Sequence, residues 1–361
     1  MNVTADNILV VLPNWVGDNV LATPALRAIR ARYSKSKISY LIKPYLTELF
    51  GGCSWYDQLI YWPGKRKGEQ PQTVLKLLKQ LRTEKFDAAI LLSNSFRSAL
   101  MCSLCKIPRR IGYDRDGRGV MLTDKLLPDR YNGRFLPVSA LKYYLSVADY
   151  LGCRTDNYNL ELFTEPQNET EAQNILTKHE LDKNADYAVI NPGASYGPTK
   201  CWPAEYFAEV GDYLSGKFGL RSLIVGSPRE VPIIRNVAQK MANKGIAVIE
   251  PTAGLGTLKS IIKRSKLLVT NDTGPRHFAA AFGVPTVTIF GSTDPRWSET
   301  LYVRERQIRI EVDCGPCMKK VCSERHHKCM VDIKPERVEH QIEELLQERS
   351  TTVSSNESSV S

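Results

Sequence analysis

The sequence predicts an α/β protein built from two Rossmann-like domains, each a parallel sheet flanked by helices. Three observations carry this expectation. Short apolar, β-rich runs alternate with amphipathic helical stretches in both halves of the chain. Most of these runs end in a polar, glycine-containing turn, as strands of a parallel sheet do where they hand over to crossover helices. The rhythm breaks once, at a polar segment over 153–168, and then restarts. A chain of 361 residues is long enough for two domains, each burying a full core.

Taken in order, residues 7–12 are the first strand, 13–19 its loop with Gly17 and Asp18, and 20–33 the first helix. Strands are expected at 37–42 and 58–61, a helix at 73–83, a buried strand at 87–92, and a helix at 95–105 started by Asn94 or Ser95. Residues 109–134 are basic and rich in glycine, which reads as loop. A helix at 138–151 closes an N-terminal domain of 1–152. After the linker at 153–168, a connecting helix at 169–179 leads into strands at 187–191, 220–225, 247–249, 267–270 and 285–290, with a helix at 258–264. These make a C-terminal domain of 169–334. An amphipathic helix at 335–349 follows, and the Ser-rich tail at 350–361 is expected to be disordered. Loops at the carboxyl edge of such a sheet bind ligands, so the second domain is read as a nucleotide binder.

Composition excludes several classes. No apolar run approaches the ~20 residues of a membrane span, and the first residues lack the basic start of a secretory signal, so a cytoplasmic protein is expected. Neither half carries a Gly-x-Gly-x-x-Gly turn after its first strand or a Gly-x-x-x-x-Gly-Lys-Ser/Thr loop. That disfavours a nicotinamide dehydrogenase and a P-loop NTPase. The net charge of +10 is unevenly placed: residues 1–152 hold 23 Lys and Arg against 12 Asp and Glu, whereas the remainder is near neutral. The excess is either a solvated cationic face or the mark of an anionic partner of the N-terminal domain.

The most informative stretch is Asn271-Asp272-Thr273-Gly274-Pro275-Arg276-His277, between an apolar strand and a helix. Pro275 suits the first helical turn, where its missing N–H costs nothing. Thr273, Gly274 and the open amides of that turn then form a mouth suited to phosphate, with His277 one turn in. The alternative is an ordinary cap by Asp272 or Thr273. Ser195 and Lys200 are candidates for phosphate oxygens and Glu230 for ribose hydroxyls, the alternative for Glu230 being a carboxylate that complements a helix dipole. Asp18, on the glycine loop of the first domain, is either a general base or a helix cap.

Four cysteines cluster as Cys314-x2-Cys317-x4-Cys322-x6-Cys329, with His326 and His327 in the last gap. This density fits a structural zinc site or, as the lesser metal alternative, an iron–sulfur site, and equally a redox-sensitive disulfide or free thiols. Four protein ligands would leave no open position, so a metal there would be a staple.

The run Pro13-Asn-Trp-Val-Gly-Asp-Asn-Val-Leu-Ala-Thr-Pro-Ala-Leu26, the segment Lys200-Cys-Trp-Pro203, Gly226-x-x-x-Glu230 and Asn271-Asp-Thr-Gly-x-x-His277 together resemble the ADP-heptose:lipopolysaccharide heptosyltransferases, from about residue 7 to 346 and in the family's order. Asn14-Trp15 and the segment Leu92-Ser-Asn-Ser-Phe-Arg-Ser-Ala-Leu100 look more like the enzymes that add the second heptose. At Ala194-Ser195 the first-heptose enzymes tend to carry two threonines, so only Ser195 keeps a hydroxyl there. The cysteine-rich insert is absent from some well-known members.

The resemblance implies a GT-B fold, two Rossmann-like domains facing a cleft, and an inverting transfer that needs no cofactor. It implies Asp18 as the base, with Lys200 and the amides around Thr273 and Gly274 facing the diphosphate. Asp272 would face the heptose hydroxyls, His277 the sugar–phosphate junction and Glu230 the ribose. It also implies an ADP-heptose donor and an anionic lipopolysaccharide inner-core acceptor at the cytoplasmic face of the inner membrane. Asn94, Arg97, Arg115, Arg118 and the Lys65-Arg66-Lys67 run are the acceptor candidates. A monomer is expected, and no nucleic acid. The rival readings are a related glycosyltransferase with another sugar or acceptor, and a non-catalytic binder of anionic polymers.

Overall fold

The computed structural model describes residues 5–64, 73–181, 186–249 and 254–357. By internal contacts the chain divides into two compact units, Met1–Phe163 with Arg296–Leu301, and Thr164–Pro295 with Tyr302–Ser361. The stretch up to Phe163 stays with the first unit for a visible reason. Arg27 donates to Glu161 Oε2 at 2.8 Å and to the carbonyls of Asn157 and Asn159 at 3.1 and 3.0 Å, and the Phe163 ring meets Trp55 edge-on.

In the first unit, β1 (Asn7–Val11), β2 (Lys37–Ile42), β3 (Gln58–Tyr61), β4 (Ala88–Leu91), β5 (Arg109–Tyr113) and β6 (Asp124–Leu126) form one parallel sheet in the order β3-β2-β1-β4-β5-β6. A small antiparallel hairpin, β7 (Arg130–Tyr131) and β8 (Arg134–Phe135), follows. The second unit repeats the pattern. Its strands β9 (Tyr187–Asn191), β10 (Arg221–Ile224), β11 (Ile246–Ala247), β12 (Leu267–Asn271), β13 (Thr286–Ile289) and β14 (Glu305–Ile308) run β11-β10-β9-β12-β13-β14, again parallel throughout. Both orders reverse direction between the first and fourth strands, and ligands of doubly wound sheets bind in the crevice at that point. The central strands read as unbroken apolar runs because helices cover both faces of the sheet: Leu9, Val10 and Val11 in β1, and Leu267, Leu268 and Val269 in β12, are fully buried.

Four departures from the sequence reading have a plain physical reason. The first helix is two, Val16–Leu21 and Thr23–Arg32. Pro24 cannot donate, and its ring would crowd the carbonyl of Val20, which accepts the Thr23 hydroxyl at 2.7 Å instead. Residues 109–134, expected to be loop, contain β5 and β6. Their arginines stand on the sheet because each finds partners: Arg109 pairs with Asp124, and Arg110 donates to the Met121 and Ile107 carbonyls at 2.6 Å each. The edge strand β14 carries too few apolar residues to register as a strand. The last helix runs Pro335–Glu357, past the expected stop at 349 and into the stretch expected to be disordered, since that stretch holds no Gly or Pro to end it. Its Val338, Ile342 and Leu345 complete the core of the second unit beside Trp202 and Phe207.

Candidate active site

In the second unit the site grows from two loops at the switch point, the one after β9 and the one after β12. Asn191, at the end of β9, donates to Thr270 Oγ1 and Thr273 Oγ1 at 3.0 Å each, and Asn271 donates to the Pro192 carbonyl at 2.7 Å while accepting from the Trp202 amide. These side-chain bonds fasten the two loops together. Thr273 stands at the cap position of the helix Gly274–Phe282 in extended conformation, and its side chain makes no cap bond to the amides of the first turn. The mouth of that helix keeps its partial positive charge.

Lys200 comes from the β9 loop and meets Asp272, the residue before this cap. Its Nζ lies 2.5 Å from Asp272 Oδ2 and 2.9 Å from the Asp272 carbonyl, with most of both side chains buried. Asp272 also accepts from Thr293 at 2.8 Å and from Arg276 at 3.1 Å. Arg276 is 1% exposed, forks onto Glu305 at 2.8 and 2.9 Å, and lies over the Phe290 ring. Burial alone would raise the Asp272 carboxyl, but the charges of Lys200 and Arg276 outweigh it and hold the group well below the usual carboxylate range. Lys200, Asp272, Arg276 and Glu305 thus form a neutral buried set of two cations and two anions.

His277 is buried, and its pKa is pushed down to about 3, first by burial and then by the Arg276 charge. It is a neutral imidazole at physiological pH, and among the described residues its buried Nδ1 finds no partner. Ser195 stands exposed in the turn before Lys200. Glu230 lies against Gly193, where a Cβ would stand 2.3 Å from its carboxyl, and its Oε2 accepts from the Ser227 amide at 2.7 Å in a reciprocal capping box. Glu230 thus sits in a first turn, and a capping box that the sequence reading did not name fixes its carboxylate beside the β9 loop.

The cysteine-rich segment packs on this same loop. The Tyr196 hydroxyl donates to the Met318 carbonyl at 2.5 Å, the Thr199 hydroxyl to the Lys319 carbonyl at 2.6 Å, and Ser292 bonds Thr199 at 3.0 Å. Cys314, Cys317, Cys322 and Cys329 are free thiols, and among the described residues no group of three or more His, Cys, Asp or Glu is placed to hold a metal ion. Of the readings that the spacing left open, the free thiols are the one seen here, and the structural zinc finds no support. These main-chain contacts, with Cys329 half-buried against the core, hold the segment. Burial, then the neighbouring thiols, pushes Cys329 up to about 11, so it stays protonated.

In the first unit Asp18 lies in the first turn of the helix Val16–Leu21, whose cap is Trp15 with no side-chain cap bond. Asn19 donates to the carbonyls of Pro13 and Trp15 at 3.0 and 2.6 Å and locks the loop in front of it. Tyr144 is pushed well up, first by burial and then by the Asp18 charge. Arg97 is exposed, and Arg115 lies over the Phe135 ring at 4.1 Å. Arg118 is a correction. It is fully buried and donates to the Ser93 and Tyr113 carbonyls and, at 3.0 Å, to Asn94 Oδ1, so it fastens the β4 loop to β5 and has no free edge for an acceptor. Asn94 Oδ1 is shared with the Tyr143 hydroxyl at 2.9 Å. The run Lys65-Arg66-Lys67 lies outside the described residues.

Residues that the sequence did not single out complete the set. Arg276 sat unassigned inside the motif, and Glu305, Thr293 and Asn191 close it from other strands and loops. A polar Asn ending an otherwise apolar strand was the available signal for Asn191.

The chain matches the model of glycosyltransferase family 9 (heptosyltransferase) over residues 74–328. It is 27% identical to lipopolysaccharide heptosyltransferase 2 of Escherichia coli K12, and 28% identical to lipooligosaccharide heptosyltransferase 2 of Campylobacter jejuni. Each comparison covers 94% of this chain and 98% of the relative. Among solved structures it superposes on a family 9 glycosyltransferase from Veillonella parvula with a TM-score of 0.83 at 27% identity, covering 96% of this chain and 99% of the other. On the E. coli ADP-heptose LPS heptosyltransferase II the TM-score is 0.75 at 25% identity, covering 95% and 99%. The pair of six-stranded parallel sheets is thus a GT-B fold, and the chain belongs to glycosyltransferase family 9, the heptosyltransferases.

Proposed function

We propose that this enzyme moves L-glycero-D-manno-heptose from ADP-heptose onto the first heptose of a lipopolysaccharide inner core, with inversion at the anomeric carbon. The observation that carries the donor side is the Lys200–Asp272 pair beside the N-terminus of the helix Gly274–Phe282, whose cap residue makes no side-chain cap bond. A diphosphate is already a good leaving group, so the site has to stabilise its charge more than protonate it. Lys200 and the amides around Thr273 and Gly274 supply that charge. Asp272, kept ionised, accepts from sugar hydroxyls, and neutral His277 offers its ring to the sugar–phosphate junction. Glu230, steadied by its capping box, accepts from the ribose, and Ser195 adds a hydroxyl. Asp18 takes the proton of the acceptor hydroxyl as it attacks. Arg97, Arg115 and Asn94 face the anionic acceptor, which the enzyme meets as a peripheral protein on the cytoplasmic membrane face. The second-heptose step is supported by relatives of that name along nearly the whole chain.

The test is transfer from ADP-heptose to truncated core acceptors carrying no heptose or one. Product on the one-heptose acceptor alone supports the reading. Product on the heptose-free acceptor alone changes the step, and no transfer to either by a folded, ADP-binding protein refutes the sugar or the acceptor.

A further inference from the structure

We infer that the hairpin β7–β8 and the loop before it dock on an anionic lipid bilayer. This extends the proposed function, whose acceptor is a membrane lipid, but the observation is independent of it. Asp114 leaves β5 and Leu127 leaves β6 at the same edge of the sheet, where the Asp114 amide bonds the Leu126 carbonyl at 2.8 Å. The hairpin follows at once, turning on Asn132 and Gly133, both at positive φ as a tight two-residue turn requires. It is pinned through Phe135, whose ring has the Arg115 guanidinium at 4.1 Å and that of Arg130 at 4.3 Å.

What the hairpin and its flanks show to solvent is unusual. Leu127 is 77% exposed, Tyr131 69% and Leu136 44%, while Val120, in the loop that also carries Arg115, is 86% exposed. Single exposed apolar side chains are ordinary, but four on neighbouring segments need an account. Arg130 and Arg134, both exposed, are interleaved with them. A tyrosine and leucines between arginines suit the boundary of a bilayer, where rings and methyls enter the acyl region and guanidinium groups stay with lipid phosphates. The charge is complementary as well, since residues 1–152 carry a net +11. Among the described residues no helix is long and apolar enough to cross a membrane, so the contact is one of surface.

The experiment is flotation of the full chain with vesicles of phosphatidylcholine, alone or mixed with phosphatidylglycerol, neither holding acceptor. The wild type is expected to float with the mixed vesicles only, and less as salt rises. Arg130→Ser/Arg134→Ser should weaken that binding by roughly 25-fold, at about fivefold per arginine near a charged surface. Leu127→Ser/Tyr131→Ser should weaken it as well, with melting temperature and ADP affinity unchanged in both. Wild-type flotation in both double variants, or no flotation of the wild type with either vesicle, overturns the inference; the second outcome would leave the patch to a protein partner. Transfer to a deacylated, water-soluble acceptor is measured in parallel and should be equal in wild type and variants. Its absence in all of them would refute heptosyl transfer, while the vesicle result still decides the hairpin.

Discussion

Replacing Arg276 by Met tests whether the buried charge set holds the donor site together. The guanidinium makes three charge-assisted contacts, one to Asp272 and two to Glu305, and is 1% exposed. Met keeps much of the volume but leaves Glu305 a buried anion without its cation, and removes one of the two cations paired with Asp272. Breaking one side of a buried pair costs about 3–5 kcal/mol, and at about 2–4 °C per kcal/mol for a unit of this size the melting temperature should fall by roughly 10 °C. Arg276→Met/Glu305→Met removes both charges together, and apolar replacement of a whole pair is often close to neutral. The double variant should recover most of the loss, with a coupling of about 2 kcal/mol or more in the cycle. Calorimetry of the four proteins, with and without ADP, reads both quantities. A single variant melting with the wild type, or a double variant no better than the single, would refute the reasoning.

Other consequences follow from the same geometry. Asp18→Asn should leave ADP-heptose affinity intact and lower kcat by at least ~10²-fold, the low end for a general base; wild-type turnover in steady-state assays would remove Asp18 from the mechanism. Lys200→Met should weaken ADP-heptose binding by roughly tenfold or more, from a lost charged hydrogen bond worth about 1.5–3 kcal/mol, as read by titration calorimetry; unchanged affinity would contradict the phosphate assignment. His277, held neutral with a pKa of about 3, binds a proton more readily when unfolded, near its ordinary 6.5. Its contribution is therefore complete above pH 6.5 and drains as pH falls from there toward 3, by about 1.4 kcal/mol per pH unit. Denaturant melts between pH 6 and 4.5 should show a shallower acid slope in His277→Gln, and equal slopes would refute the buried neutral imidazole.

Much of the fold was legible because parallel strands covered on both faces must be apolar from end to end, and the turns that follow them must be polar. That rule finds β1, β4, β9, β12 and β13 from composition alone. It fails at β5 and β14, where Arg109, Arg110 and Glu305 look like loop chemistry until their partners are known. The candidate site divides in the same way. Lys200, Asp272 and the Gly274 turn lie in local motifs whose chemistry can be read from spacing. Arg276 and Glu305 are 29 positions apart and are joined only by the register of β12, β13 and β14. Arg118 shows the converse error, since an arginine in a glycine-rich run reads as a solvated contact when it is a buried clasp. The cysteines were undecided for a related reason: spacing left metal, disulfide and free thiols open, whereas the bonds that the Tyr196 and Thr199 hydroxyls of the β9 loop donate to the Met318 and Lys319 carbonyls are invisible in the sequence.

The central claim is that the mouth of the helix Gly274–Phe282, with Lys200 across it, holds the donor diphosphate. A crystal structure with a non-transferable ADP-heptose analogue tests it most directly. The sugar-linked phosphate is expected within hydrogen-bonding distance of Lys200 Nζ and of the amides at Thr273 and Gly274, with the heptose against Asp272. A diphosphate seated elsewhere in the second unit, leaving the Lys200–Asp272 pair untouched, would contradict it.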